Sequence, residues 1–324
     1  MKSSNQKILI TGGSGFIGTN AVEWFSSKGY SVLNIDIAPP KHNSHVQYWQ
    51  EVDIREKKQL IRAISDFAPT YVLHLAAKTD LCGKTLDAYS ANILGVKNLI
   101  EVLNGVSSIE RVIFTSSMYV CYPGYRPCNE IDYCPHTLYG ESKIEGEKIV
   151  RRARHNYEWL IIRPTSIWGP WFGEPYDQFF KLVMGKKYFH LGDKICTKTY
   201  GYIDNAIYQI QQLLLAERSL VQEKMFYIGD YAPYNVQEWA DEIASICNYR
   251  IRTVPYSFFK AMAVFGDLLK MVGIKFPMTS FRLHNMTTDN IQNLEPTKLI
   301  IPELPVQRID GMKATIQWIK SAKS

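Results

Sequence analysis

Tyr139 and Lys143 stand four residues apart in the run Tyr139-Gly-Glu-Ser-Lys143. On a helix that spacing puts both side chains on one face, the ammonium beside the phenol. A free tyrosine titrates at about 10, too high for a base at neutral pH. A nearby cation favours the phenolate, and a fall of roughly three units takes about 4 kcal/mol. An isolated Tyr-x-x-x-Lys is usually an exposed helical pair, so a second signal has to set its meaning. That signal is Thr11-Gly-Gly-Ser-Gly-Phe-Ile-Gly18. It follows the apolar run Lys7-Ile-Leu-Ile-Thr11, suited to a buried parallel strand, and precedes Phe16 to Lys28, which reads as helix. Gly12, Gly15 and Gly18, or alternatively Gly13, Gly15 and Gly18, let bare backbone approach a pyrophosphate at a helix N-terminus. The chemistry implied is proton removal by Tyr139 beside a nicotinamide, whose positive charge would act in the same sense as that of Lys143.

The elements that must position these groups alternate. Ser31-Val-Leu-Asn-Ile-Asp36 reads as a second strand ending in a carboxylate about twenty residues past the loop, where adenosine ribose hydroxyls belong. Asp36 would repel a 2′-phosphate, and no arginine follows it, so NAD is expected over NADP. Val46 to Trp49 reads as a short extended piece, Glu56 to Phe67 as a helix, and Tyr71-Val-Leu-His-Leu-Ala-Ala77 as a buried strand. Thr85 to Leu103 reads as one long helix, Arg111 to Thr115 as a strand, His136 to His155 as the helix of Tyr139, and Trp159 to Arg163 as a strand halted by Pro164. Strands separated by helices imply right-handed crossovers and a doubly wound parallel sheet. Beyond Pro164 regular alternation lapses. Tyr200 to Asp204 and a helix from Ala206 to Ala216 are expected to return to the sheet.

The chain has 324 residues, 46% hydrophobic, enough to bury one large core or two interlocked ones. Its net charge of +6 is dispersed, and Arg151-Arg-Ala-Arg154 falls at a helix end where cations suit the dipole, so no nucleic-acid partner is expected. The six cysteines show no C-x-x-C spacing and no metal-ligand pattern, which predicts free thiols in a reducing compartment and no metal. Met1 to Gln6 leads at once into a strand, so no signal peptide and a cytoplasmic location are expected. Ser257 to Met278 reads as two helical pieces with apolar faces, but Lys260, Asp267, Lys270 and Lys275 interrupt it. It is expected to cover the substrate pocket as a lid and not to span a membrane, with binding to a membrane surface left open.

The chain resembles the extended short-chain dehydrogenase/reductase family, in its NAD-dependent epimerase/dehydratase group acting on nucleotide sugars, of the UDP-glucose 4-epimerase kind. The matching pieces are Gly12 to Gly18, Asp36, Asp53-Ile54, His74-Leu-Ala-Ala77, Asn92, Phe114-Thr-Ser-Ser117, Tyr139-x-x-x-Lys143, Arg163-Pro164, Trp168-Gly-Pro170 and Tyr202-Ile-Asp204. The resemblance implies an α/β fold, a Rossmann-type doubly wound parallel sheet with a smaller C-terminal substrate-binding α/β region. Residues 1–165, with 198–230 returning to them, would bind NAD; 166–197 and 231–324 would bind substrate. It also implies a homodimer paired through the helices of Asn92 and Tyr139. Ser117, Tyr139 and Lys143 would be catalytic. Gly12, Gly15, Phe16, Ile17, Gly18, Asp36, Asp53, Ile54, Leu75, Ala76, Ala77, Asn92 and Arg163, with Tyr139 and Lys143, would contact the cofactor. Lys78, Ser117, Ser166, Lys198 and Arg282 would contact substrate.

The activity implied is epimerisation of a nucleotide sugar, at C4, through a transient ketone. The alternatives are a nucleotide-linked keto-sugar reductase using NAD or NADP, a hydroxysteroid-type dehydrogenase, or a silent nucleotide-sensing protein. Family dehydratases carry an Asp-Glu pair after the catalytic hydroxyl residue, where this chain has Met118 and Tyr119. Neither does that proton transfer, so dehydration is disfavoured, and with it the sugar-acid decarboxylases. Ser166 and Lys198 stand where asparagine and arginine are frequent, and Asn205 where a second aspartate is usual. A lysine lacks the bidentate fork that suits phosphate, so these departures bear on substrate identity.

Overall fold

In the computed structural model, which describes residues 6–174, 176–271, 273–274 and 276–322, the first apolar run is a strand. The expectations attached to residues 1–5, Val272 and Lys275 lie outside the described residues. Strands β1 (Lys7–Thr11), β2 (Ser31–Asp36), β3 (Trp49–Glu51), β4 (Tyr71–His74), β5 (Arg111–Thr115) and β6 (Glu158–Pro164) run parallel. Helices α1 (Phe16–Ser27), α2 (Lys57–Phe67), α3 (Val96–Leu103) and α4 (Leu138–Arg152) lie in the crossovers. Then come β7 (Ser166–Trp168), α5 (Gln178–Met184), β8 (Phe189–Leu191), β9 (Thr197–Lys198) and β10 (Tyr200–Tyr202). Helices α6 (Ile203–Leu215) and α7 (Arg218–Val221) lead to β11 (Met225–Ile228), which pairs with β6 at the sheet edge. The last stretch holds β12 (Tyr234–Asn235), α8 (Val236–Ile246), β13 (Arg252–Val254), α9 (Tyr256–Met271), α10 (Ser280–Thr287), α11 (Glu295–Ile300) and α12 (Arg308–Ser321).

The seven-stranded sheet has the order β11-β6-β5-β4-β1-β2-β3. The chain starts at β1, winds outward to β3, and reverses to β4 on the other side of β1, which opens a crevice at the carboxyl ends of those strands. Successive strand residues face opposite sides, so strands apolar at nearly every position must be covered on both. Ile8, Ile10, Leu73, Ile113, Leu160 and Ile162 pack in one core with residues of α1 and α6. Leu9, Val72, Val112, Phe114 and Ile161 pack in a second core with residues of α2 and α3.

Four sequence expectations need correction. Tyr200 to Asp204 does not return to the central sheet: β10 pairs with β7 in a separate two-stranded sheet, and β11 is the strand that returns. Thr85 to Leu103 is not one helix: a 3-10 turn at Leu86–Tyr89 and a π-helical turn at Ala91–Gly95 precede α3. A π turn often accompanies a side chain pulled into a functional site, and Asn92 sits within this one. Asn43–Tyr48 forms a 3-10 turn, so the extended piece begins only at Trp49. From Tyr256 to Met271 the chain makes one continuous helix, and the second piece is α10. Helix α4 starts where expected for its chemistry: the Thr137 hydroxyl accepts the Gly140 N–H at 3.0 Å, while Arg151 and Arg152 occupy the last turn.

Candidate active site

A cleft of about 780 Å³ lies over the carboxyl ends of β1, β2, β4, β5 and β6. Its floor begins at the glycine loop. Gly12 has φ +75°, and a Cβ there would stand 2.6 Å from the backbone of Ala76; at Gly18 it would stand 2.1 Å from the Gly12 carbonyl oxygen. Both glycines therefore hold the strand, loop and helix together, while Gly15, Phe16 and Ile17 line the cleft. The Asp36 carboxylate accepts the Ser14 N–H at 3.1 Å and the Ala38 N–H at 3.0 Å, which fixes it at the cleft wall. Asp53 and Ile54 also line the cleft. The Arg55 guanidinium chelates the Asp53 carboxylate and holds it below its ordinary pKa.

Leu75, Ala76, Ala77 and Lys78 form the wall after β4. The Thr11 hydroxyl accepts the Ala76 N–H at 3.1 Å and lies 2.7 Å from His74 Nδ1. Burial pushes His74 down to about 3, so its ring is neutral and Nδ1 can accept the Thr11 proton. At the deep end Ser117, Tyr139 and Lys143 converge. The Ser117 hydroxyl accepts the Tyr119 N–H at 3.1 Å. Lys143 Nζ donates to the Thr115 carbonyl at 2.9 Å.

Electrostatics at this end bear on the expectation that Lys143 and a nicotinamide cation together prime Tyr139. Burial drives the Tyr139 phenol well above its ordinary pKa, and the lowering influence of the Ser117 hydroxyl does not offset it. Burial also lowers Lys143 to about 8, with the Glu147 carboxylate pulling it back up. The polypeptide alone thus keeps the phenol neutral, and further positive charge near it is needed to make the phenolate.

Four residues assigned to ligands occupy other places. Arg163 is fully buried: β6 alternation turns it toward α4, where Nε and Nη2 each donate to Glu147 at 2.8 Å and Nη2 donates to the Glu130 carbonyl at 2.7 Å. It does not reach the cleft wall. Asn92 is likewise a brace, not a wall residue. Its Oδ1 accepts the Lys78 N–H at 2.8 Å, and its Nδ2 donates to the Lys78 carbonyl at 3.0 Å and to Ser142 Oγ at 2.8 Å. Lys198 Nζ donates to the Asn285 carbonyl at 2.5 Å, and exposed Arg282 donates to the Pro277 carbonyl at 3.0 Å; neither lines the cleft. Ser166 does line it.

The cleft also contains groups that the sequence reading passed over: Lys41, Tyr119, Glu174 and Tyr176. Tyr119 entered that reading only as a replacement for a dehydratase carboxylate; it lines the cleft, and burial raises its phenol above the ordinary pKa. Lys41 lies beyond Pro39 and Pro40, outside any periodic element, and its Nζ donates to the Trp171 carbonyl at 3.3 Å. The fit to a bound dinucleotide shows in the polar atoms left over. Thr115 Oγ1 and Ser116 Oγ are buried on the cleft wall without a protein partner, and such groups are normally satisfied by a ligand or water. Among the described residues no cluster of His, Cys, Asp or Glu could hold a metal ion.

Comparison with known proteins agrees with this geometry. The chain is 27% identical over 296 residues to the 3-beta-hydroxysteroid dehydrogenase of Mycolicibacterium neoaurum, covering 84% of this chain and 79% of that protein. It is 27% identical over 293 residues to the N-acetyl-alpha-D-glucosaminyl-diphospho-ditrans,octacis-undecaprenol 4-epimerase of Escherichia coli O157:H7, covering 86% and 85%. The fold is similar to that of the Thermotoga maritima UDP-glucose 4-epimerase solved with UDP-glucose, at a TM-score of 0.75 and 20% identity, over 98% of this chain and all of that one. The pattern of one family spans residues 8–229, from the first strand of the sheet to the end of its last. With the cleft, the glycine loop and the parallel sheet in that span, the chain belongs to the NAD dependent epimerase/dehydratase family.

Proposed function

We propose that the protein is an NAD-dependent epimerase of a nucleotide sugar, acting at C4 through a transient ketone. The observation that carries this reading is the meeting of Ser117, Tyr139 and Lys143 at one end of a cleft whose other end is walled by Asp36. Gly15, Phe16, Ile17, Asp36, Ile54 and the Leu75 to Ala77 wall would hold NAD, with Thr115 and Ser116 offering their unpaired hydroxyls. Bound there, oxidised NAD supplies a hydride acceptor and a positive charge beside the phenol. Tyr139 takes the proton of the sugar hydroxyl as its carbon is oxidised, and returns it after the ketone has turned over. Ser117 donates to the same oxygen, and Lys143 keeps its ammonium on the tyrosine side of the site by its bond to Thr115. Met118 and Tyr119 offer no carboxylate for eliminating water from the neighbouring carbons, which leaves oxidation and re-reduction at one carbon. Residues 1–165 and 198–230 would carry the cofactor, and 166–197 with 231–324 the sugar; β11 in the sheet supports that division. Self-association as a homodimer through the helices of Asn92 and Tyr139 is part of the same reading.

A hydroxysteroid-type dehydrogenase is the second reading, and a specific observation favours it. Lys198 and Arg282, the cations that would grip a diphosphate, lie away from the cleft wall. The test begins with protein purified without added cofactor, denatured, and its released nucleotide identified by mass spectrometry. Near-stoichiometric NAD, followed by 4-epimer formation with a UDP-, dTDP- or GDP-sugar and no net reduced cofactor, is the expected result. Steady accumulation of reduced cofactor with a hydroxysteroid would overturn it. Tyr139→Phe is expected to abolish turnover and retain NAD; an active variant removes Tyr139 from the mechanism.

A further inference from the structure

Helix α9 is apolar on two opposite sides. Its inner side, Phe259, Ala263 and Gly266, is buried, and packs with Leu191 and Leu283. Its outer side carries Phe258, Val264, Phe265, Leu268 and Met271, all more than half exposed, with Met271 at 83%. Steps of three, four and seven residues put them in one stripe about 20 Å long. Ile274 in the segment that leads into α10, and Phe281 in the first turn of α10, add two more exposed apolar side chains. That segment lies close on α9: a Cβ at Gly266 would stand 1.8 Å from the Met278 carbonyl oxygen, and Phe265 and Phe276 have ring centroids 5.7 Å apart. A surface helix normally turns polar residues outward, and an exposed apolar ridge marks a contact surface.

Charge names the partner. Between residues 256 and 287 the sequence holds Lys260, Lys270, Lys275 and Arg282 against one carboxylate, Asp267. That carboxylate is already engaged, accepting the Ser280 N–H. Of the cations, Lys260 lies one turn before Val264 at the border of the ridge and Arg282 follows exposed Phe281 on α10, and an apolar ridge bordered by cations is complementary to an anionic lipid surface, where side chains enter the acyl boundary and cationic groups meet headgroup phosphates. A second copy fits less well, because a two-fold contact sets the patch against itself and brings the same cations face to face. Among the described residues no helix is long and apolar enough to cross a membrane, so the contact would be with one surface.

No described residue of α9 or α10 lines the cleft, so the lid expected of this segment is not what the fold forms; we propose instead that the outward face of α9 and the start of α10 docks on an anionic lipid bilayer. The face is joined to the cleft by a short path. The chain leaving α10 reaches Asn290, whose Nδ2 lies 3.8 Å from the sulfur of Met118, and Met118 lines the cleft next to Ser117. The inference stands whether the substrate is a nucleotide sugar or a sterol.

The test is flotation of the full chain with vesicles of phosphatidylcholine alone and of phosphatidylcholine with phosphatidylglycerol. Binding to the anionic vesicles, released by salt and absent on neutral ones, is expected. Leu268→Asp should abolish it, and Lys260→Gln with Arg282→Gln should weaken partitioning roughly 25-fold, about fivefold per cation. Both variants change exposed side chains, so Tm and NAD affinity serve as checks that they fold. Failure to bind anionic vesicles, or binding that survives Leu268→Asp, overturns the proposal. So does a concentration-dependent dimer in light scattering that Leu268→Asp dissociates, which would assign the face to a second copy.

Discussion

Replacing Glu147 by Gln should destabilise the fold and change the titration of the site at once. Glu147 lies one turn after Lys143 on α4 and is 2% exposed. Its carboxylate accepts two bonds from Arg163 at 2.8 Å each and one from the Tyr133 hydroxyl at 2.9 Å. Burial alone would pull the Arg163 guanidinium down; the Glu147 charge holds it above its ordinary pKa. Gln keeps the volume, removes the charge and turns an amide N–H₂ toward donors. Leaving a buried charge without its partner costs about 3 to 5 kcal/mol. With about 2.1 cal/mol/K of unfolding entropy per residue over 324 residues, that is a fall in Tm of about 4 to 7 °C. Glu147 is also the group that opposes the burial shift of Lys143, so the Lys143 titration should move to lower pH in the variant. Thermal unfolding at neutral pH reads the first effect and the alkaline limb of the activity profile reads the second. The double variant Glu147→Met with Arg163→Met should recover most of the loss, because a buried pair replaced by apolar groups leaves no orphan charge. The reasoning is refuted by a Glu147→Gln variant within about 1 °C of the parent, or by a double variant that loses the sum of the singles.

Gly18→Ala places a methyl 2.1 Å from the Gly12 carbonyl oxygen, against backbone that cannot move aside. NAD affinity measured by calorimetry should fall more than about tenfold, and an unchanged Kd would refute the packing role. Lys143 titrates at about 8 in the fold against 10.5 as a free group. Between those values the unfolded chain holds a proton that the folded chain lacks, so stability rises with pH across that window. The contribution of Lys143 is about 3 kcal/mol, to be read from urea unfolding of parent and Lys143→Met without cofactor; a parent-minus-variant difference flat with pH would contradict it. Asp36→Ala leaves Lys41 in the cleft without the carboxylate that repels a 2′-phosphate. NADP affinity relative to NAD should rise about tenfold and fall again when Lys41→Ala is added, as fluorescence titration would show; no change on adding Lys41→Ala would remove that lysine from the argument.

The parallel sheet was legible in the sequence because a doubly covered strand has to be apolar at nearly every position, as in Lys7 to Thr11 and Arg111 to Thr115. The glycine loop was legible because its glycines answer to local backbone geometry. Its close approaches, however, turned out to be to Ala76, to the Asn34 side chain and to the loop itself, which spacing cannot reveal. Contacts that depend on tertiary placement were misread. Arg163 sits next to a proline at a strand end, as a ligand-binding arginine might, but strand alternation turns it to Glu147. Lys198 and Arg282 matched by approximate position, and the packing of β9 near α10 committed Lys198 to the Asn285 carbonyl instead. Lys41, Glu174 and Tyr176 reach the cleft from aperiodic segments, where no pattern signals direction. The break before α3 was passed over although Asn92 and Gly95, both weak helix formers, lie in it, because Ile93 and Leu94 carry the apolar pattern on into α3.

The amide of Asn92 meets both backbone groups of Lys78, one donor and one acceptor, as a neighbouring strand would. A single side chain thus extends the pairing of β4 beyond the last residue that has a strand beside it. Residues 75–78 are therefore not a modular loop that can be exchanged for a relative's version to alter specificity. The wall, the π-helical turn and Ser142 on α4 form one inherited part, and a graft that takes any of them must take all three.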